Sequence, residues 1–149
     1  RALDAGAVGY NLEDAMCPVA EMTDRIAAAV EVGRARGIPA VLNARTDVYL
    51  AHRDWAEERR YAEARDRGLA YLAAGADCVF VPGLAKGASI RGLVEAFGRG
   101  RLSLLSAVGL PDLDVLRQWG VARISHGPYP HRQAMAALAT YAAHQLDQP

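Results

Sequence analysis

Residues 41–50 read VLNARTDVYL, and this stretch decides how the chain is interpreted. Its apolar residues are typical of a buried β-strand. Asn43, Arg45 and Asp47 interrupt the apolar run at intervals of two, and side chains two residues apart point to the same face of a strand. An arginine on a buried strand is costly unless an anion meets it. The stretch therefore predicts a strand with one polar face and an anion close to Arg45.

The same order of features recurs elsewhere in the chain. Residues 4–14, 73–83 and 119–128 each place a glycine after a helical pattern, then an apolar strand, then a polar or Gly/Pro turn. Glycine just beyond a helix is the usual start of a connection to a strand. With residues 39–46 and 101–108, which have the same apolar character, the sequence predicts five strands.

Helical patterns fill the intervals between the predicted strands. They cover residues 19–36, 54–74, 89–97, 113–119 and 131–146. Residues 54–67 are rich in Glu and Arg, which favours a helix face in contact with water. Alternating strands and helices predict an α/β fold with a parallel sheet.

Two architectures fit this alternation, an open doubly wound sheet and part of a (β/α)8 TIM-type barrel. No G-x-G-x-x-G follows a strand in the sequence, so the dinucleotide-binding form of the open sheet is not favoured. Polar side chains gather where predicted strands end: Asn11, Glu13 and Asp14, then Asn43, Arg45 and Asp47, then Ser125 and His126. In a barrel, that end of the strands holds the active site.

The composition narrows the classes of function. With 52% hydrophobic residues in 149, the chain is long and apolar enough to fold around a core. Seventeen basic and 17 acidic residues cancel, which argues against a surface that binds nucleic acid. No apolar run approaches the roughly 18 residues of a membrane-spanning helix. Cys17 and Cys78 form neither a metal-binding pattern nor a disulfide framework, so we expect a cytoplasmic protein.

Four segments in order resemble the phosphoenolpyruvate mutase/isocitrate lyase superfamily: GYNLED (9–14), NARTDVYL (43–50), AGADCVFVPG (74–83) and GVARISHGP (120–128). The resemblance implies a (β/α)8 barrel, of which residues 1–149 would be a single domain holding about the last five βα units and lacking the first strands. It also implies a Mg2+-dependent enzyme that acts on a small 2-oxo or enol acid or a phosphonate. It further implies a homo-oligomer assembled through the C-terminal helix.

The resemblance assigns roles to two residues. Glu13 matches an acidic residue that helps to hold the metal and its waters, whereas the main metal ligands are expected upstream of Arg1. Arg45 matches an arginine that contacts the carboxylate or phosphonate of the substrate. Asn43 is a candidate substrate-binding residue on the same strand face.

Each of these residues also has an ordinary structural interpretation. Glu13 and Asp14 could begin the next helix, since acids are common there. Arg45 could form an internal ion pair with Asp47 or Glu13, and Asn43 could simply satisfy backbone or water.

Other candidates are weaker. Ser125 and His126 precede Gly-Pro and are typical of a turn, and Cys17 is a minor candidate for a nucleophile or base.

The reaction itself is left open by departures from the family pattern, of which the clearest is a missing loop. Lyases of the family carry a Lys-x-Cys-Gly-His loop after the Glu-Asp pair, but here the pair runs directly into AMCPVAEMTDRI, residues 15–26. The only lysine, Lys86, follows a different strand. A C–C lyase and a phosphonomutase-like enzyme both remain possible, and a non-catalytic barrel that binds small acids is the alternative.

Overall fold

The five predicted strands form one parallel sheet in which neighbours in space are also neighbours in sequence. The computed structural model describes residues 2–146. Its strands are β1 (Gly9–Glu13), β2 (Val41–Arg45), β3 (Cys78–Phe80), β4 (Leu102–Leu105) and β5 (Arg123–Ser125). All adjacent pairs are parallel, in the order β1-β2-β3-β4-β5. A doubly wound sheet would reverse its order at a switch point, whereas an unbroken order is that of a barrel arc.

The sheet curves so strongly that its edge strands meet across its concave face. Nη2 of Arg123 on β5 lies 3.4 Å from Oδ1 of Asn11 on β1. In a flat sheet, four steps of about 4.8 Å would separate these strands by about 19 Å, which is beyond the reach of an arginine side chain. The curvature therefore favours the (β/α)8-type interpretation over the open sheet.

Six helices accompany the strands over residues 2–146. They are α1 (Val19–Ala35), α2 (Val48–Ala51), α3 (Glu57–Ala73), α4 (Gly87–Phe97), α5 (Leu113–Trp119) and α6 (Tyr129–Leu146). The sequence did not predict α2, because four residues are too few to show helical periodicity. The apolar residues of α2 are therefore not a continuation of strand β2.

The convex face of the sheet builds the core. Leu42 and Ala44 of β2 are at most 1% exposed, and they share a cluster with Met22 and Ile26 of α1 and with Tyr71 of α3. Alternate residues of β2 therefore supply the apolar face that its sequence predicts.

A second cluster joins β3 and β4 to α3 and α4. Close approach of these two helices depends on Gly68, because a Cβ there would lie 2.3 Å from Cζ of Phe97. The core thus holds α3 firmly against both the sheet and α4.

Helix α6 differs from the other long helices because none of its described residues is buried. Its large apolar side chains are all exposed: Tyr129, Met135, Leu138, Tyr141 and Leu146. Within residues 2–146, no helix combines the length and the apolarity that crossing a membrane requires.

Candidate active site

The polar residues of β1 and β2 lie side by side on the concave face. The strand register pairs Asn11 with Asn43 and Glu13 with Arg45. Nδ2 of Asn43 donates a hydrogen bond to Oδ1 of Asn11 at 2.7 Å. Oδ1 of Asn43 is buried and has no hydrogen-bond partner in the described part of the chain. Since buried polar atoms normally find a partner, this oxygen is an unused hydrogen-bond acceptor next to the charged cluster.

Arg45 is held between two carboxylates at the end of β2. Its Nη1 lies 2.9 Å from Oε2 of Glu13. Its Nε and Nη2 donate to the two carboxylate oxygens of Asp47, at 2.7 and 3.2 Å. The anion that the sequence predicts near Arg45 is thus supplied by both of the candidate internal partners.

The same geometry leaves part of Arg45 available. A guanidinium has five N–H donors: hydrogen bonds to Asp47 engage Nε and one N–H of Nη2, and Nη1 forms an ion pair with Glu13. One N–H therefore remains on Nη1 and one on Nη2. The Arg45 side chain is 28% exposed, so these donors can reach a small acid that enters the concave face.

Two acids around one arginine leave the cluster with an excess of negative charge. A hydrogen bond with Asp47, burial and the charge of Asp47 raise the pKa of Glu13 above its ordinary value, and the charge of Arg45 opposes this shift. The Glu13 side chain is nevertheless 45% exposed. Glu13 is therefore the carboxyl of the cluster that is most open to solvent and holds a proton more tightly than an isolated glutamate.

Asp14 points the opposite way from Glu13, as alternation along a strand requires. Its side chain is fully buried, and Oδ1 accepts hydrogen bonds from the backbone N–H groups of Met16, at 3.0 Å, and Asp47, at 3.2 Å. The first of these bonds stabilises a tight turn in which Ala15 and Met16 have φ angles of 43° and 60°. Such left-handed conformations are unfavourable for residues with a Cβ.

The other oxygen of Asp14 contacts helix α3. Tyr71 Oη donates a hydrogen bond to Oδ2 at 2.8 Å, and Nη1 of Arg67 lies 3.3 Å from it. Burial, together with the hydrogen bond to Asp14, raises the pKa of Tyr71 above its ordinary value of 10.0. Burial opposes the charge of Arg67, but hydrogen bonds to Tyr71 and Glu63 outweigh it and raise the pKa of Arg67. Both side-chain oxygens of the buried Asp14 therefore have partners within the fold.

Two structural interpretations of the sequence are wrong at this point. Glu13 and Asp14 do not begin the next helix, because α1 starts at Val19 and its N-cap residue is Pro18. The Glu/Arg run of α3 is not wholly in contact with water, because Arg67 is only 8% exposed.

The sequence analysis did not identify Arg67 and Tyr71 as the buried partners of Asp14. Arg67 falls on the helix stripe of Ala64 and Tyr71, at spacings of three and four residues, and this periodicity was the available signal.

The weaker candidates lie apart from the charged cluster. The backbone N–H of Gly127 contacts Oγ of Ser125 at 3.4 Å, which fits the predicted turn. His126 is exposed, and Cys17 is a free cysteine whose backbone oxygen accepts a hydrogen bond from Arg67. Among residues 2–146, no hydrogen bond or ion pair joins these three side chains to Arg45.

The described residues do not build a complete metal site. Over residues 2–146, no three or more His, Cys, Asp or Glu side chains come together to hold an ion. Glu13 and Asp47 both face Arg45, and Asp14 lies behind the sheet. Of the three, only Glu13 has a carboxylate open enough to approach a hydrated cation.

Fold and charge placement together define a barrel-type protein with a cluster of one arginine and two carboxylates at the carboxyl ends of its strands. The sequence profile of the phosphoenolpyruvate phosphomutase family matches residues 1–146, and the chain belongs to that family. The resemblance drawn from the four segments is therefore confirmed. No curated protein sequence matches the chain.

Solved structures place the sheet within the complete fold. A candidate phosphonomutase from Burkholderia cenocepacia J2315 is 41% identical with a TM-score of 0.87, over 96% of this chain and 60% of that one. A candidate lyase/mutase from the same organism is 32% identical with a TM-score of 0.86, over 99% of this chain and 54% of that one. The chain therefore spans little more than half of these relatives. Its sheet matches the last five βα units of their TIM-type barrel, as predicted.

A structure of oxaloacetate acetylhydrolase in complex with oxalate is more distant. It is 23% identical with a TM-score of 0.84, over 99% of this chain and 53% of that one. At this identity the likeness shows the fold alone.

Proposed function

We propose that the protein is a Mg2+-dependent enzyme of this family that acts on a small 2-oxo or enol acid, as a C–C lyase or a phosphonomutase-like enzyme. The observation that carries the proposal is the Arg45 guanidinium, which lies at the carboxyl end of β2 with two N–H donors left for an incoming acid. Family membership over residues 1–146 supports it.

In this proposal Arg45 binds the carboxylate or phosphonate of the substrate. A guanidinium suits these anions because it can donate two parallel hydrogen bonds to them. Asn43 contributes its unpartnered Oδ1, which accepts a hydrogen bond from a hydroxyl or a protonated oxygen of the same molecule. The charged cluster and the buried amide thus recognise different parts of one small acid.

We further propose that Glu13 approaches Mg2+ through the water ligands of the ion. Magnesium commonly keeps several waters and uses few protein carboxylates. When bound, the ion would supply positive charge that stabilises an enolate oxygen. In this proposal Glu13 is the contribution of β1 to the metal environment and Arg45 is the contribution of β2 to substrate binding.

The test is turnover by the intact natural protein across a panel of 2-oxo acids and phosphonates, with and without Mg2+. We expect turnover that requires Mg2+ and whose KM rises strongly in Arg45→Ala. An unchanged KM in Arg45→Ala on the preferred substrate would exclude the assigned role of Arg45.

The second candidate function is a non-catalytic barrel that binds small acids. The short connection from Glu13 to α1 favours this candidate. Hydrogen bonds to Asp14 hold the connection in a tight turn, so β1 and α1 are not joined by a long loop that could close over the site. Binding of oxalate without turnover of any acid in the panel would support this candidate. Mg2+-dependent turnover would exclude it.

We also propose that the protein assembles into a homo-oligomer through α6. The helix buries none of its described residues and exposes Met135, Leu138 and Tyr141. Exposed apolar side chains in such a stripe are typical of a protein interface. We expect light scattering to show an oligomer that Leu138→Glu dissociates, whereas Gln133→Glu on the same helix should leave its mass unchanged. A monomeric wild-type protein would contradict the proposal.

As part of the same proposal, we place the activity in the cytoplasm, in keeping with the free thiols of Cys17 and Cys78.

A further inference from the structure

We propose that Asp14, held from behind by Tyr71 and Arg67, is a positioning residue that fixes Asp47 and, through it, the guanidinium of Arg45. The inference rests on the proposed function, since it concerns how the acid-binding group of that site is oriented. All three side chains are buried and bonded to one another, on the side of the sheet that α3 covers.

The first step of the argument concerns how Arg45 is oriented. Asp47 engages Nε and Nη2 together, and this pair of contacts fixes the plane of the guanidinium. The contact with Glu13 is a single one, to Nη1. Asp47 therefore determines the direction in which the remaining N–H donors point.

The second step concerns how Asp47 is held. Asp47 lies just beyond β2 and immediately before the short helix α2, so the ladder between β1 and β2 does not include it. Its backbone N–H is instead bound by Oδ1 of Asp14 at 3.2 Å. Asp14 thus connects the end of β1 to the residue that orients Arg45.

The third step concerns why Asp14 can act as a fixed point. Its carboxylate is fully buried, with Oδ2 bound by Tyr71 at 2.8 Å and Arg67 at 3.3 Å. Arg67 is itself tied to Glu63 at 2.7 Å and to the backbone oxygen of Cys17 at 2.9 Å. Helix α3 therefore transmits the rigidity of the core to the turn that carries Asp47.

The decisive variant is Tyr71→Phe, which removes one hydroxyl and keeps the ring in the core. Replacing Asp14 directly risks preventing folding, because Arg67 would lose its buried partner. Ile26→Val is the matched control, since Ile26 is fully buried in the same cluster as Tyr71 and makes no polar contact. Arg45→Ala tests the proposed function separately.

Two measurements on the intact protein decide the question. Hydrogen exchange, followed by mass spectrometry, reports the Met16 and Asp47 amides in residues 14–17 and 46–48. Oxalate titration, followed by calorimetry, reports acid binding. We expect Tyr71→Phe to accelerate exchange in both segments and to weaken oxalate binding about three- to tenfold, the effect of one hydrogen bond. Ile26→Val should do neither when both variants are fully folded.

The outcomes separate the two proposals. If exchange accelerates but oxalate affinity is equal or higher, Asp14 only holds the turn and the positioning role is wrong. If Tyr71→Phe matches Ile26→Val in both measurements, the connection through Asp14 is wrong. If Arg45→Ala binds oxalate as the wild type does, the proposed function fails, whatever the exchange data show for Asp14.

Discussion

The two faces of the sheet are built from alternate residues of the same strands, yet they differ in almost every physical property. On the convex face, Leu42 and Ala44 are buried among apolar side chains of the helices. On the concave face, Asn43 and Arg45 make polar and charged contacts across strands. A shift of one residue along β2 therefore separates a group that stabilises the fold from a group suited to bind an acid.

The largest expected effect comes from the convex face. Leu42→Ala should lower the free energy of unfolding by about 2–5 kcal/mol, because it leaves a cavity at a fully packed position. Urea denaturation measures the change, and Leu42→Met, which keeps the volume, should cost less than about 1.5 kcal/mol. Oxalate affinity of the folded Leu42→Ala protein should be unchanged. A large loss of affinity would show that the two faces are not separate.

Arg45→Ala should act mainly on oxalate affinity, whereas Leu42→Ala acts mainly on the free energy of unfolding. Losing a charged double hydrogen bond should weaken oxalate binding by about 10- to 150-fold. The free energy of unfolding should fall by less than in Leu42→Ala, because the ion pairs that are lost involve a side chain that is 28% exposed. Arg45→Lys keeps the charge without the planar fork, so its affinity should lie between those of the two proteins. Equal affinities for Arg45→Lys and the wild type would argue that charge alone matters.

Tyr71, on the convex face, should make the free energy of unfolding depend on pH in the alkaline range. Because burial raises its pKa above 10.0 in the folded state, the stability it contributes is fully present below pH 10 and is lost as pH rises through its folded pKa. Tyr71→Phe should reduce the slope of unfolding free energy against pH above 10 by about 1.4 kcal/mol per pH unit. Denaturation at pH 9, 10, 10.5 and 11 tests this. Identical slopes for the two proteins would contradict it.

Glu13, on the concave face, should make the stability of the protein depend on pH in the acidic range, with a smaller effect. Its raised pKa means that the folded state binds the proton more tightly, so the associated stability is present below pH 4.5 and is lost as pH rises through the folded pKa. Metal-free wild-type protein should therefore lose stability relative to Glu13→Gln between pH 4 and pH 7. Thermal melts in EDTA measure the difference. If the wild-type protein instead becomes more stable relative to Glu13→Gln as pH rises, the contact with Arg45 outweighs the effects that raise the pKa of Glu13.

Local patterns in the sequence were sufficient for the strands, most helices and the location of the candidate site. Alternation in residues 41–50 predicted that Asn43 and Arg45 share a face and that an anion meets Arg45, and both statements hold. These properties depend on side chains a few residues apart, whose relative directions follow from strand geometry. The proposed substrate binding by Arg45 and Asn43, and the proposed place of Glu13 beside the metal, remain predictions.

Tertiary structure alone decided the partners of these residues. Asp14 and Tyr71 are 57 residues apart, and only the packing of α3 behind the sheet brings their oxygens to 2.8 Å. The burial of Arg67 and the formation of α2 were decided in the same way, because each depends on contacts between elements. Side-chain direction is a property of a strand by itself, whereas strand register and helix packing choose the partner that the side chain meets.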